Sequence, residues 1–215
     1  MIPEDLDSTR RGQVSRLVLD ETVARYDDLL DRLGIDTFVY TVTLPDAGVL
    51  TVERAAHRLG FAPGALQDSE RPYGGNFLTL YQAGSGIVTL DWSHPYSDRK
   101  QVTDRLTGDG IRHWYLSFDI EGNTSMFVCY GQVEGYLESP EPVSIPFTGW
   151  REHLGPLGAY ADLFASAYDD DEAEAEVDVN AACLAVIETE SGIRLDDRLL
   201  NSRCSVLPLP GRAKL

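Results

Sequence analysis

The sequence is short of positive charge. Its 215 residues include 18 lysines and arginines against 35 aspartates and glutamates, which gives a net charge of −17. Nucleic-acid binding needs basic side chains that displace counterions from phosphates, and anionic membrane surfaces also attract basic segments. The charge therefore argues against both kinds of partner. It favours either a basic protein partner or a surface whose acidity serves solubility alone.

Cysteines and long apolar runs are also scarce. The three cysteines, Cys129, Cys183 and Cys204, are widely spaced and form no CxxC pair, so a structural zinc site is not expected. No apolar run reaches the roughly 18 residues of a membrane-spanning helix, and the acidic residues 1–5 do not resemble a signal peptide. We therefore expect a cytoplasmic protein.

Familiar catalytic and cofactor motifs are absent as well. The sequence contains no GxxxxGK[ST], GxGxxG, GxSxG or HExxH segment. We therefore expect no cofactor and no catalytic residue of a familiar type. Asp91 and His94, with His113 and Asp119 on a later strand, are the nearest approach to a site. An acid and a histidine could hold a metal, but a third ligand with the same reach is not evident. An enzyme with an unfamiliar site near Asp91, His94 and His113 remains an alternative.

Hydrophobic periodicity predicts an α+β fold, in which a central antiparallel sheet is flanked by N- and C-terminal helices. The sheet is expected to consist of a hairpin plus a meander, with a short edge strand at its end. The predicted strands cover residues 37–44, 76–82, 86–92, 111–120, 125–130 and 133–138. The predicted helices cover residues 13–33, 51–60, 98–106, 150–164 and 179–191, with a further short turn at 194–201.

Domain boundaries follow from the same pattern. Residues 1–36 form an N-terminal helical segment, and residues 37–215 form the α+β domain with an acidic linker at 169–178. Residues 3–12 are expected to be loose, because they are polar. Residues 62–76 are rich in glycine and proline and predict a loop, while the tail from Cys204 is expected to be extended.

The acidic linker contains the densest run of charge in the chain. Like charges packed so closely repel one another, which is typical of a solvated linker. The same charges would also attract and steer a basic partner. The candidate partner-binding carboxylates of this run are Asp169, Asp170, Asp171, Glu172, Glu174 and Glu176.

A second candidate surface lies on the predicted strand 111–120. Trp114 and its alternate neighbours are expected to face the helices. The opposite face carries His113, Tyr115 and Ser117. If that face is exposed, His113 and Tyr115 are candidate contacts for a protein partner, because aromatic side chains are favoured anchors at interfaces.

Several segments of the sequence form a distinctive series. They are SGIVTLDW at 85–92, VERAAHRLG at 52–60, the strand at 115–120, the turn at Asn123, the strand at 126–130 and ESGIRL at 190–195. Together they resemble an uncharacterised family of actinobacterial domains, and the resemblance covers residues 38–201. It implies an actinobacterial cytoplasmic protein and supplies no catalytic residues.

Three functional hypotheses follow. The first is a non-enzymatic acidic binding protein, such as an immunity or antitoxin-like protein that masks a basic protein partner. The second is an enzyme with an unfamiliar site near Asp91, His94 and His113. The third is a small-ligand sensor, with a pocket between the sheet and the C-terminal helices. The oligomeric state and the partner are left open.

Overall fold

The computed structural model describes residues 5–34, 37–69, 77–91, 99–138, 151–167 and 177–208. These residues form an α+β fold around one eight-stranded antiparallel sheet, which confirms the predicted fold class. The strands are β1 Phe38–Pro45, β2 Gln67–Ser69, β3 Phe77–Ala83, β4 Gly86–Asp91, β5 Ile111–Phe118, β6 Thr124–Tyr130, β7 Val133–Glu138 and β8 Cys204–Pro208.

The helices surround this sheet in the described part of the chain. None of them combines the length and the apolar character that crossing a membrane requires. They are α1 Asp5–Leu33, α2 Val52–Arg58, α3 Arg99–Leu106, a 3₁₀ helix at Gly155–Tyr160, α4 Ala161–Ala167, α5 Val179–Ser191 and α6 Asp197–Leu200.

The strand order is β2-β8-β3-β4-β1-β5-β6-β7. The predicted hairpin is β3 and β4, and the predicted meander is β5, β6 and β7, with β7 at the edge as expected. β1 lies between these two units and joins them. Its Thr41 pairs with Thr89 of β4 on one side and with Tyr115 of β5 on the other.

Short polar side chains and glycine set the limits of the helices. The Thr51 hydroxyl accepts a hydrogen bond from the Arg54 amide at the start of α2. The Asp178 carboxylate does the same for the Ala181 amide at the start of α5. Gly192 ends α5 in the left-handed conformation, with φ of 70°, which costs glycine no steric strain.

The larger core lies between one face of the sheet and helices α1, α4 and α5. Trp114, Leu116 and Phe118 point into it, as the alternation of the strand predicts. α1 contributes Tyr26 and Leu29 to the same core. The N-terminal segment that the sequence set apart therefore shares its hydrophobic contacts with the rest of the fold.

The second face of the sheet is covered too, so the exposure on which a contact role of His113 and Tyr115 depends is not found. His113, Tyr115 and Ser117 are 0%, 1% and 2% exposed. α2 packs on this face in a second hydrophobic cluster, and α3 packs against β5. The polar residues of this face suggested contact with solvent, but His113 is buried with a partner: its ring is hydrogen-bonded to the Thr43 hydroxyl on the neighbouring strand. A buried polar group that has a hydrogen-bond partner is tolerated.

Three segments differ from the predicted secondary structure, and the tail, which was expected to be extended, is a paired strand. α1 begins at Asp5, within the residues expected to be loose, and β2 lies within the predicted loop 62–76. The tail forms β8, which pairs with both β2 and β3. These partners are distant in sequence, so local periodicity carries no signal for them. The helix predicted at 150–164 contains the 3₁₀ turn around Pro156, whose ring disfavours the preceding residue in a helix.

The 3₁₀ helix approaches β7 closely at one point. A methyl group at Gly135 would overlap the carbonyl oxygen of Leu154, while a methyl group at Gly158 would meet no atom within 4 Å. Both backbones lie outside the positive-φ region that favours glycine. The two glycines therefore differ mainly in the space around them.

We expect Gly135→Ala to lower the free energy of unfolding by about 2–3 kcal/mol, as for other overpacked sites. Gly158→Ala is the matched control and should change stability by less than about 0.5 kcal/mol. Urea unfolding followed by circular dichroism measures both values. Equal stabilities for the two variants would show that the close approach of the 3₁₀ helix to β7 is wrong.

Candidate functional site

The predicted acidic contacts lie outside the described residues. This holds for Asp169, Asp170, Asp171, Glu172, Glu174 and Glu176, and also for His94. The backbone of Asp91 ends β4, where it lies opposite Val39 of β1. The partner role of the acidic run and an active site near Asp91 therefore remain predictions.

His113 is enclosed in the sheet. Its Nδ1 lies 2.8 Å from the hydroxyl oxygen of Thr43, and its Nε2 has no hydrogen-bond partner among the described residues. Burial lowers the pKa of the imidazole to about 3, so the ring is neutral at physiological pH. Tyr115 is buried with Val39 and Phe127. Neither side chain reaches a partner or a substrate in this conformation.

The three thiols are buried and unpaired. Burial raises the pKa of Cys129, as expected for an inert thiol, and also raises the pKa of Cys183 and Cys204. Within the described ranges, no three His, Cys, Asp or Glu side chains are grouped so as to hold a metal ion.

An acidic groove runs between α1 and the segment formed by the 3₁₀ helix, α4 and the start of α5. Its volume is about 780 Å³. Leu19 and Leu163 are among its apolar lining residues. The charged side chains that line the groove are Asp20, Asp27, Asp162 and Asp178, with Arg16 as the single base.

Helix geometry explains why these carboxylates meet. Asp20 and Asp27 are seven residues apart in α1, which places them on the same face of the helix two turns apart. Asp162 lies in the first turn of α4, and Asp178 caps α5. Acidic residues at both helix starts complement the helix dipoles, so local helix stability accounts for part of the cluster.

The charges of the groove also repel one another. Partial burial, followed by the charges of Asp178, Asp31 and Asp28, raises the pKa of Asp27. A raised carboxyl pKa means that the ionised form is disfavoured by its surroundings. A cation placed in the groove would relieve this repulsion.

Two lining residues of the groove flank the predicted acidic run in the sequence. Ser166 and Val177, which both line the groove, lie just before and just after that run in the sequence. The sequence located the run but missed the carboxylates of α1, whose seven-residue spacing was the available signal. Asp162 and Asp178 depend on tertiary packing, which no local pattern reveals.

Comparison with known proteins adds no relative: no family model, curated protein or solved structure matches this chain. The resemblance to an actinobacterial domain family stays a prediction.

The buried imidazole predicts a pH dependence of stability. The pKa of His113 falls from 6.5 in the unfolded chain to about 3 in the fold, so only the unfolded chain takes up this proton as the pH drops below 6.5. This contribution is neutral above that pH and is destabilising between 6.5 and about 3. Between about pH 7.5 and about pH 5.5 it should cost about 1.4 kcal/mol.

Urea unfolding across this pH range tests the prediction. His113→Gln should remove that part of the pH dependence, whereas His57→Gln, at an exposed histidine, should retain it. If the His113 imidazole in the folded protein takes up a proton near its ordinary pKa in an NMR titration, the buried neutral ring is contradicted.

Proposed function

We propose that the protein is a non-enzymatic binding protein whose acidic groove docks a basic segment of a protein partner. The observation that carries this proposal is that four aspartates from three helices line one groove together with apolar side chains. In its most specific form, the partner is a basic effector that the protein masks, as an immunity or antitoxin-like protein does.

Charge complementarity supports the choice of a basic partner. The described lining of the groove holds four carboxylates against one guanidinium, and its residues Ser166 and Val177 flank the acidic run from Asp169 to Glu176 in the sequence. Opposite charges steer association and raise its rate. A partner with several lysines or arginines would also relieve the repulsion around Asp27.

Apolar surface beside these charges supports a protein rather than a small cation. Leu19 and Leu163 line the groove, together with Val23 and Ala24 of α1. An amphipathic basic helix would place its apolar side chains against these apolar lining residues and its cationic groups near the aspartates. The proposal is therefore a helix-in-groove interaction.

An amphipathic peptide of leucine and lysine residues serves as the probe. Replacing three carboxylates in D20N/D27N/D162N should weaken its binding about tenfold, since each exposed ion pair contributes roughly 0.5 kcal/mol. The salt dependence of binding should become shallower in the same variant. Fluorescence anisotropy with a labelled peptide measures both effects. Asp178 is left intact because it caps α5.

The matched control is D104N/E121Q/E134Q, which removes the same charge from exposed positions that do not line the groove. It should bind the peptide within about twofold of the wild type, because its distant charges are screened at physiological salt. Equal weakening by both triple variants would mean that the peptide senses net charge alone. That outcome contradicts docking in the groove.

A further inference from the structure

A second cleft has the opposite electrostatic character. It lies where the turn between β3 and β4 and the start of β5 meet the segment that follows α5, and its volume is about 600 Å³. Its charged lining residues are Arg112, Arg194, Arg198 and Asp196. In a chain of net charge −17, three arginines and only one acidic residue thus line the same concave surface.

Two of these arginines have their charges available. Among the described side chains, neither Arg194 nor Arg198 forms a hydrogen bond or an ion pair, and both residues are exposed. By contrast, Arg25 is paired with Glu188, and Arg32 with Asp197.

The remaining charges of the cleft are already engaged. The Asp196 carboxylate accepts a hydrogen bond from the Leu199 amide at the start of α6. Arg112 lies 3.6 Å from the Asp46 carboxylate and 3.5 Å from the carbonyl oxygen of Glu190, near the end of α5. Arg112 therefore offsets the negative end of that helix, and Arg194 and Arg198 remain for a ligand.

We propose that this arginine cleft binds a small organic phosphate monoester. The guanidinium groups of Arg194 and Arg198 carry two positive charges, which match the charge of a dianion. A tetrahedral phosphate presents three acceptor oxygens to donors that approach from different elements, whereas a carboxylate presents two. The volume is within the range of roughly 300–1,000 Å³ that is usual for small-molecule sites, which leaves room for the organic part.

Hydroxyl groups provide further donors at the cleft. Ser85 lies in the turn between β3 and β4, and Ser191 at the end of α5. The Ser191 oxygen accepts from the Ile193 amide, so its proton is free to be donated. Donors of this kind complement arginine in fixing the orientation of a bound anion.

The arginine cleft is separate from the acidic groove. The groove lies at the start of α5 and the cleft at its end, so the 13 residues of this helix set them roughly 20 Å apart at about 1.5 Å per residue. The phosphate proposal therefore does not depend on the proposed protein partner, and either one can fail alone.

Isothermal titration calorimetry with glycerol 2-phosphate, in a phosphate-free buffer, tests the proposal. The wild type should bind it saturably. R194Q/R198Q should bind at least about tenfold more weakly, because two charge-assisted contacts are lost. R58Q/R203Q removes the same charge from exposed positions outside the cleft and should bind within about twofold of the wild type.

Three outcomes would overturn the proposal. They are the absence of saturable binding to the wild type, binding by R194Q/R198Q as tight as that of the wild type, and equal weakening in both double variants. Citrate forms a separate arm: binding as tight as that of the phosphate ester would refute the preference for phosphate. Circular dichroism verifies that the variants are folded, which is expected because the substituted arginines are exposed.

Discussion

The burial of α5 is the constraint on which the rest of the described structure depends. Seven consecutive residues, from Ala181 to Ile187, are buried, so this helix has no solvent-facing side over that length. A helix buried all round needs cover from two directions. The sheet provides one and α1 the other, where the phenol of Tyr26 donates to the Glu188 carboxylate at 2.6 Å and Arg25 approaches it at 2.7 Å. The N-terminal helix is therefore required to complete the core.

The same constraint places both candidate sites. The Tyr26 hydroxyl also accepts a hydrogen bond from the Leu195 amide at 3.1 Å, so α1 fixes the segment that follows α5 and carries Arg194. At the other end, the face of α1 beside α5 presents Asp20 and Asp27 to the groove. Burial and the neighbouring Glu188 raise the pKa of Tyr26, which keeps its phenol protonated as a donor. One buried contact thus connects the acidic groove and the arginine cleft to the core.

Local sequence patterns were sufficient to predict most strands of the sheet. β-branched and aromatic alternation located β1, β5 and β6, and the turn at Gly84 located the hairpin, because these signals depend on neighbours in sequence. β8 was missed as a strand since its partners, β2 and β3, lie more than a hundred residues away. Whether the face of His113 and Tyr115 is exposed could not be decided from the sequence for a related reason. Periodicity identifies two faces of a strand, but whether the second is covered depends on helices elsewhere in the chain.

The candidate sites were harder to predict because they are made of charges whose roles the sequence does not distinguish. Glu188 and Asp20 are both acids on helices, yet one is paired across the core and the other lines an open groove. Arg32 and Arg198 differ in the same way, since Arg32 is paired with Asp197 and Arg198 lies at the cleft. Total charge gives the average field, which favours a basic partner. Recognition depends on where the local charge differs from that average. In the described structure it differs at the arginine cleft, which is cationic although the protein is acidic.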